Sequence, residues 1–142
     1  MHDGNKLHNG AIEVVKNLNN KEKRVIFLSN APRPNKDVAS FLRKLNMEER
    51  FLKNILTSGE VAMKLIKSNK FGIKFYHIGP DRDSSIFIGL EKNKTSLKNC
   101  DYILCTGLFD ENSKDLKCYE NLLKSILSKN LICTNPDLTV HR

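Results

Sequence analysis

Four short apolar runs, each ending on small polar residues, set the strongest limit on the fold. They are RVIFL at residues 24–28, IKFYHI at 73–78, DYILC at 101–105 and LIC at 131–133. The first closes on Ser29-Asn30 and the second on Gly79-Pro80-Asp81. The third closes on Thr106-Gly107 and the fourth on Thr134-Asn135-Pro136-Asp137. Runs this short and this continuously apolar suit strands of a parallel sheet, buried on both faces. Parallel neighbours cannot be joined by a tight hairpin; each needs a crossover, usually a helix.

Segments of helical period supply those crossovers. Residues 11–19 place Ile12, Val15 and Leu18 on one face, and residues 35–46 turn Val38, Phe41, Leu42 and Leu45 inward after a start at Pro34-Asn35. A further short apolar run at residues 51–57 reads as another strand. Ser58 stands where it can cap a helix that carries Val61, Met63, Leu65 and Ile66. Residues 113–127 form a longer helical pattern with Leu116, Tyr119, Leu122, Leu123 and Ile126 as its buried stripe. The order predicts an α/β fold with a largely parallel sheet and no internal repeat. Ligands of such sheets sit at the carboxyl ends of the strands, so the strand ends are the places to look for chemistry.

Composition narrows the class of partner. The formal net charge is +8, but the basic residues are mostly lysines scattered among asparagines, with no dense Lys/Arg block. That pattern reads as a solvated surface and disfavours nucleic acid as a partner. None of the four cysteines stands in a CxxC pair, which disfavours zinc and redox chemistry. Cys105 and Cys133 lie inside apolar runs and read as core residues. No apolar stretch approaches membrane-spanning length, and the opening MHDGNKLHNG lacks the apolar segment of a secretory signal. The expectation is a cytoplasmic protein with no membrane partner.

At the first strand end, Ser29 can offer a hydroxyl and a backbone N–H to a phosphoryl oxygen, and Asn30 a side-chain amide. Pro32 and Pro34 would stiffen the loop that follows. On these residues alone an ordinary turn is the simpler reading. Asp81 and Asp83 are spaced like an acidic pair but read as a surface turn, Asp110-Glu111 as a loop before a helix, and His77 as a structural histidine within a strand. Asp3-Gly4 reads as a turn, and His141-Arg142 carry no assignment.

Taken in order, the strand ending in Ser29-Asn30, the helix start at Thr57-Ser58-Gly59, the strand end at Thr106-Gly107-Leu108 and the TNPD segment at 134–137 resemble the haloacid dehalogenase (HAD) superfamily. More narrowly they resemble its class IIA phosphatases, the nucleotide-, pyridoxal- and p-nitrophenyl-phosphatase-like enzymes. The resemblance runs over essentially the whole chain. It implies a partial Rossmann-like HAD core over residues 1–70 and most of a C2-type α/β cap over residues 71–142.

The family reaction implied is hydrolysis of a small phosphorylated metabolite through an aspartyl-phosphate, with Mg²⁺ neutralising charge. Ser29 matches the motif-two Ser/Thr that holds the phosphoryl group, and Asn30 the residue after it. Ala31 departs from the second Asn often found there. Asn135 and Asp137 match a turn of the cap that faces the core cleft. A plain Asn-Pro-Asp turn stands as an equal reading on physics alone. The family's nucleophile belongs a few residues before the position of Asp3, and its Lys and magnesium acids belong beyond the TNPD turn. No catalytic residue or metal ligand is therefore assigned within this chain, and the expectation is little or no activity alone. A partner chain supplying the missing core, or self-association, is expected with it. The alternatives are a non-catalytic phosphate-binding module and a basic module binding nucleic acid or a protein partner.

Overall fold

The structure is a computed structural model and describes residues 1–111 and 116–137. Helix α1 (Asn9–Asn20) leads into strand β1 (Phe27–Ser29), helix α2 (Asn35–Lys44), a single helical turn α3 (Glu49–Leu52), strand β2 (Ile55–Thr57) and helix α4 (Ser58–Lys67). Then come strand β3 (Phe75–Ile78), three 3₁₀ segments, strand β4 (Tyr102–Cys105), helix α5 (Lys117–Lys124) and strand β5 (Asn130–Cys133). β1 pairs with β2, and β3, β4 and β5 pair in that order, every pair parallel. The α/β fold with parallel sheet read from the sequence is the fold observed.

Two groups of elements are built on these sheets. In the first, Val15 of α1, Leu42 of α2, Phe51 and Leu52 of α3 and Ile55 of β2 form one buried cluster, with Phe27 and Val38 against it. The run at 51–57 divides between α3 and β2, because Lys53 and Asn54 separate its two apolar halves. In the second, Phe75, Tyr102, Leu104 and Ile132 cover one face of the three-stranded sheet with Ile86 and Phe87 of the 3₁₀ helix Asp81–Phe87. Ala62 and Ile66 of α4 belong to this second cluster. Ile78, Ile103, Tyr119 and Ile126 cover the opposite face, beneath α5.

Several positions read as buried are not. Leu28 is 78% exposed and Ile26 52%. The first run is covered on one face only, because β1 pairs with β2 alone and the first cluster lies on the Phe27 side. Phe41, Leu116 and Leu123, read as inward-facing, are also exposed. Cys133 is exposed and Cys105 half-buried, whereas Cys100, given no role above, is the buried cysteine. Residues 113–115 of the expected long helix, with His141 and Arg142, lie outside the described residues. Among the described residues no helix is long and apolar enough to cross a membrane.

Candidate functional site

The loop after β1 is held from below by the start of α4. Thr57 caps that helix, its hydroxyl accepting from the Glu60 N–H at 2.9 Å and donating to the Arg33 carbonyl at 2.7 Å. The cap is thus Thr57 and not Ser58. The Ser58 hydroxyl instead donates to the Ala31 carbonyl at 2.9 Å, which also accepts from the Gly59 N–H. Thr57-x-x-Glu60 has the sequence of a capping box, but Asn35 is inserted into it. The Asn35 side-chain carbonyl accepts from the Thr57 N–H, while the Asn35 N–H donates to the Glu60 carboxylate. Gly59 is required by closeness: a Cβ there would meet the Arg33 nitrogen and the Pro32 carbonyl carbon at 2.5 Å. The loop therefore needs little ordering when a ligand arrives.

On this support sit Ser29 and Asn30. The Ser29 hydroxyl oxygen accepts from the Ala31 N–H at 3.2 Å, a local turn that does not use its O–H proton. The Asn30 side-chain amide donates to the Asp137 carboxylate. Within residues 134–137, the Asp137 N–H donates to the Asn135 side chain at 3.1 Å. Asn135 holds the turn's backbone, and the Asp137 carboxylate reaches across to Asn30.

A second contact crosses between the two groups. The sequence suggests a surface turn for Asp83, but the residue is buried within the 3₁₀ helix Asp81–Phe87. The Arg33 Nε lies 4.0 Å from its carboxylate. Burial raises the Asp83 carboxyl above its ordinary range, opposed by Arg33, Arg82 and the Thr106 hydroxyl. Thr106 at the end of β4 also bonds to His77 Nε2 at 2.9 Å. Burial, with Lys94 nearby, pushes His77 down to about 4, so the ring is neutral at pH 7. His77 is thus a buried, hydrogen-bonded histidine, as its place in the strand suggested. Gly79 leaves room for the pair: its φ is +152°, and a Cβ there would lie 2.0 Å from the Thr106 hydroxyl oxygen. Asp110 pairs with Arg82 at the surface. Asp3 accepts from the Asn5 and Lys6 N–H groups, the turn expected of it.

The carboxyl ends of both sheets thus meet. Ser29, Asn30 and Arg33 come from one side, and Asp83, Thr106 and Asp137 from the other. No signal in the sequence announced the pairing of Arg33 with Asp83, because it exists only across the two groups. Among the described residues no group of three His, Cys, Asp or Glu side chains could hold a metal ion. The residues described do not fit a Mg²⁺ site.

A parallel α/β protein with a rigid hydroxyl- and amide-bearing loop at a strand end, faced by a second parallel sheet, defines the class. Residues 1–91 match the family of haloacid dehalogenase-like hydrolases, and the chain belongs to that family. It is similar to a haloacid dehalogenase-like hydrolase from Brucella suis 1330, with TM-score 0.83 and 29% identity over 99% of this chain and 52% of that one. It shares its fold with a 4-nitrophenylphosphatase from Thermotoga maritima (TM-score 0.68, 20% identity, 99% of this chain and 54% of that one). It also shares it with NagD from E. coli K-12 (TM-score 0.63, 20% identity, 100% of this chain and 55% of that one). These neighbours are of the kind to which the sequence resemblance pointed. The chain spans about half the length of the structures it matches. No curated protein matches it at a comparable significance.

Proposed function

We propose that the end of β1 is the phosphoryl-holding element of a phosphohydrolase acting on small phosphorylated metabolites. The observation that carries this is the Asn30–Asp137 hydrogen bond, which sets the motif-two strand end against the opposing turn. Ser29 would donate its hydroxyl proton to a phosphoryl oxygen. Asn30, held by Asp137, would fix the wall beside it, and Asn135 would keep that turn in shape. The family and its phosphatase neighbours support a phosphatase-type reaction.

Residues 1–70 would be the motif-two part of the core and residues 71–142 an incomplete C2-type cap. α4 is the joint, since it starts on β2 and buries Ala62 and Ile66 in the second cluster. The aspartyl nucleophile, the motif-three Lys and the acids for Mg²⁺ would be supplied outside this chain, so the chain alone would not turn over. A second polypeptide carrying that part, or a second copy of this chain, would cover Ile26, Leu28 and Leu56, which are exposed beside the site. The compartment proposed is the cytoplasm.

The test is hydrolysis of 4-nitrophenyl phosphate by the purified chain, paired with titration of inorganic phosphate. The expected result is phosphate binding that Ser29→Ala weakens, without turnover. Turnover that survives metal removal and scales with pure protein would overturn the inactive-alone reading. Absence of phosphate binding would overturn the site.

A further inference from the structure

Sequence spacing gave no reason to pair any cysteines, since Cys105 and Cys133 are far apart along the chain. The sheet brings them together. They are directly opposite each other, as the last register pair between β4 and β5. Two further hydrogen bonds pin the strands just beyond this pair: the Thr134 N–H and hydroxyl both donate to the Cys105 carbonyl, at 3.0 and 3.2 Å. Residues opposite each other in a sheet share a face, and the spacing of neighbouring strands, about 4.8 Å, falls within the Cα separations that disulfides span.

The two thiols differ in a useful way. Cys133 is exposed, while Cys105 is half-buried and directs its thiol toward the Gly107 carbonyl. Burial pushes the Cys105 thiol up to about 11, and the adjoining Cys133 thiol adds to the effect. Cys105 is therefore a poor first target for an oxidant, and Cys133 is the accessible one.

We propose that Cys105 and Cys133 form a cross-strand dithiol that a peroxide converts to a disulfide, a modification site at the root of the 134–137 turn. In the first step peroxide oxidises the Cys133 thiol to a sulfenic acid and is itself reduced, releasing water. In the second the Cys105 sulfur attacks the Cys133 sulfur, the S–S bond forms, and the sulfenic oxygen leaves as a second water with the Cys105 proton. Overall two thiols lose two hydrogens and one hydrogen peroxide becomes two waters. A disulfide on an open, solvent-facing strand is reducible by thiols, which suits a reversible mark in a reducing compartment. Its place matters because Thr134 is bonded to the Cys105 carbonyl, and Asp137, three residues on, is bonded to Asn30. The bridge would therefore fix the turn that faces Ser29. The inference stands on the sheet register and does not depend on the phosphatase reading.

The test is treatment of the folded full chain with hydrogen peroxide, followed by alkylation of the remaining thiols and peptide mass spectrometry. The expected product is one linked peptide pair containing Cys105 and Cys133, reversed by dithiothreitol. Cys105→Ser and Cys133→Ser should each abolish it, and Cys100→Ser and Cys118→Ser should leave it intact. Oxidation in urea should scatter the pairing. Conversion of Cys133 to sulfinic acid with no link, or a dominant link through Cys118 in the folded chain, would overturn the proposal.

Discussion

The Asn30 side-chain amide donates to the Asp137 carboxylate and so joins two strand-end loops 107 residues apart in sequence. One loop follows β1 and the other follows β5, so this bond sets how the two sheets face each other at the candidate site. Asn30→Ala and Asp137→Ala should each weaken phosphate binding by up to about tenfold, the effect of losing one charge-assisted hydrogen bond of ~1.4 kcal/mol. Because the two side chains act on each other, the double variant should be little weaker than either single one. Isothermal titration of inorganic phosphate checks both points. Additive losses would mean that the residues act separately.

Gly59 should be intolerant of a side chain. A Cβ would press on the backbone of Pro32 and Arg33, and backbone cannot move aside as a flexible side chain can. Gly59→Ala should cost about 1–3 kcal/mol in urea unfolding. It should also weaken phosphate binding, because the same loop carries Ser29 and Asn30. Unchanged stability would show that the loop does not rest on α4.

The His77–Thr106 pair gives a pH dependence with a definite sign. The folded ring titrates near 4, against 6.5 for the free side chain. Between those values the unfolded chain binds a proton that the folded chain refuses. Stability from this group is therefore complete above about pH 6.5 and is lost as pH falls through the folded value near 4. Asp83 acts in the opposite sense, because its raised carboxyl gains in the fold on protonation. His77→Gln should flatten the decline in stability between pH 6.5 and 4, measured by urea unfolding at several pH values. An unchanged slope would place the titrating groups elsewhere.

Arg33→Ala should leave the buried Asp83 without its nearest opposite charge. The separation is 4.0 Å and the arginine is half exposed, so the loss is set by the low end for ion pairs, about 1 kcal/mol. The loss should be larger at pH 7 than at pH 4, where Asp83 binds a proton more readily. Asp83→Asn in the same background should recover part of it. Equal losses at both pH values would remove the electrostatic explanation.

The exposed face of the first sheet should drive self-association. Leu28 is 78% exposed and contributes little to the first cluster. Leu28→Lys should shift sedimentation toward monomer while the unfolding midpoint stays within experimental error. A wild-type chain that is monomeric at high concentration would contradict the exposed face as an interface.

The sequence disclosed the parallel α/β fold because its signal is local: four apolar runs, each closing on small polar residues, with helical period between. Ser29 and Asn30 could be picked out because strand ends carry chemistry in such folds. Leu28 was misjudged because the run cannot say which faces its neighbours cover. The cap at Thr57 was misplaced by one residue because Thr57 and Ser58 are chemically equivalent caps, and only the path of loop 31–35 chooses between them. The pairing of Arg33 with Asp83 and the meeting of Cys105 with Cys133 were invisible for a shared reason. Each is a contact between residues distant in sequence, with no spacing rule to announce it.

The most direct test of the account is an amide NMR titration of the ¹⁵N-labelled chain with inorganic phosphate, with Ser29→Ala as the control. Saturable shifts are expected at Ser29, Asn30 and Ala31, with smaller ones at Asn135 and Asp137, all lost in the variant. No shift at the end of β1, or shifts confined to surface lysines, would contradict it.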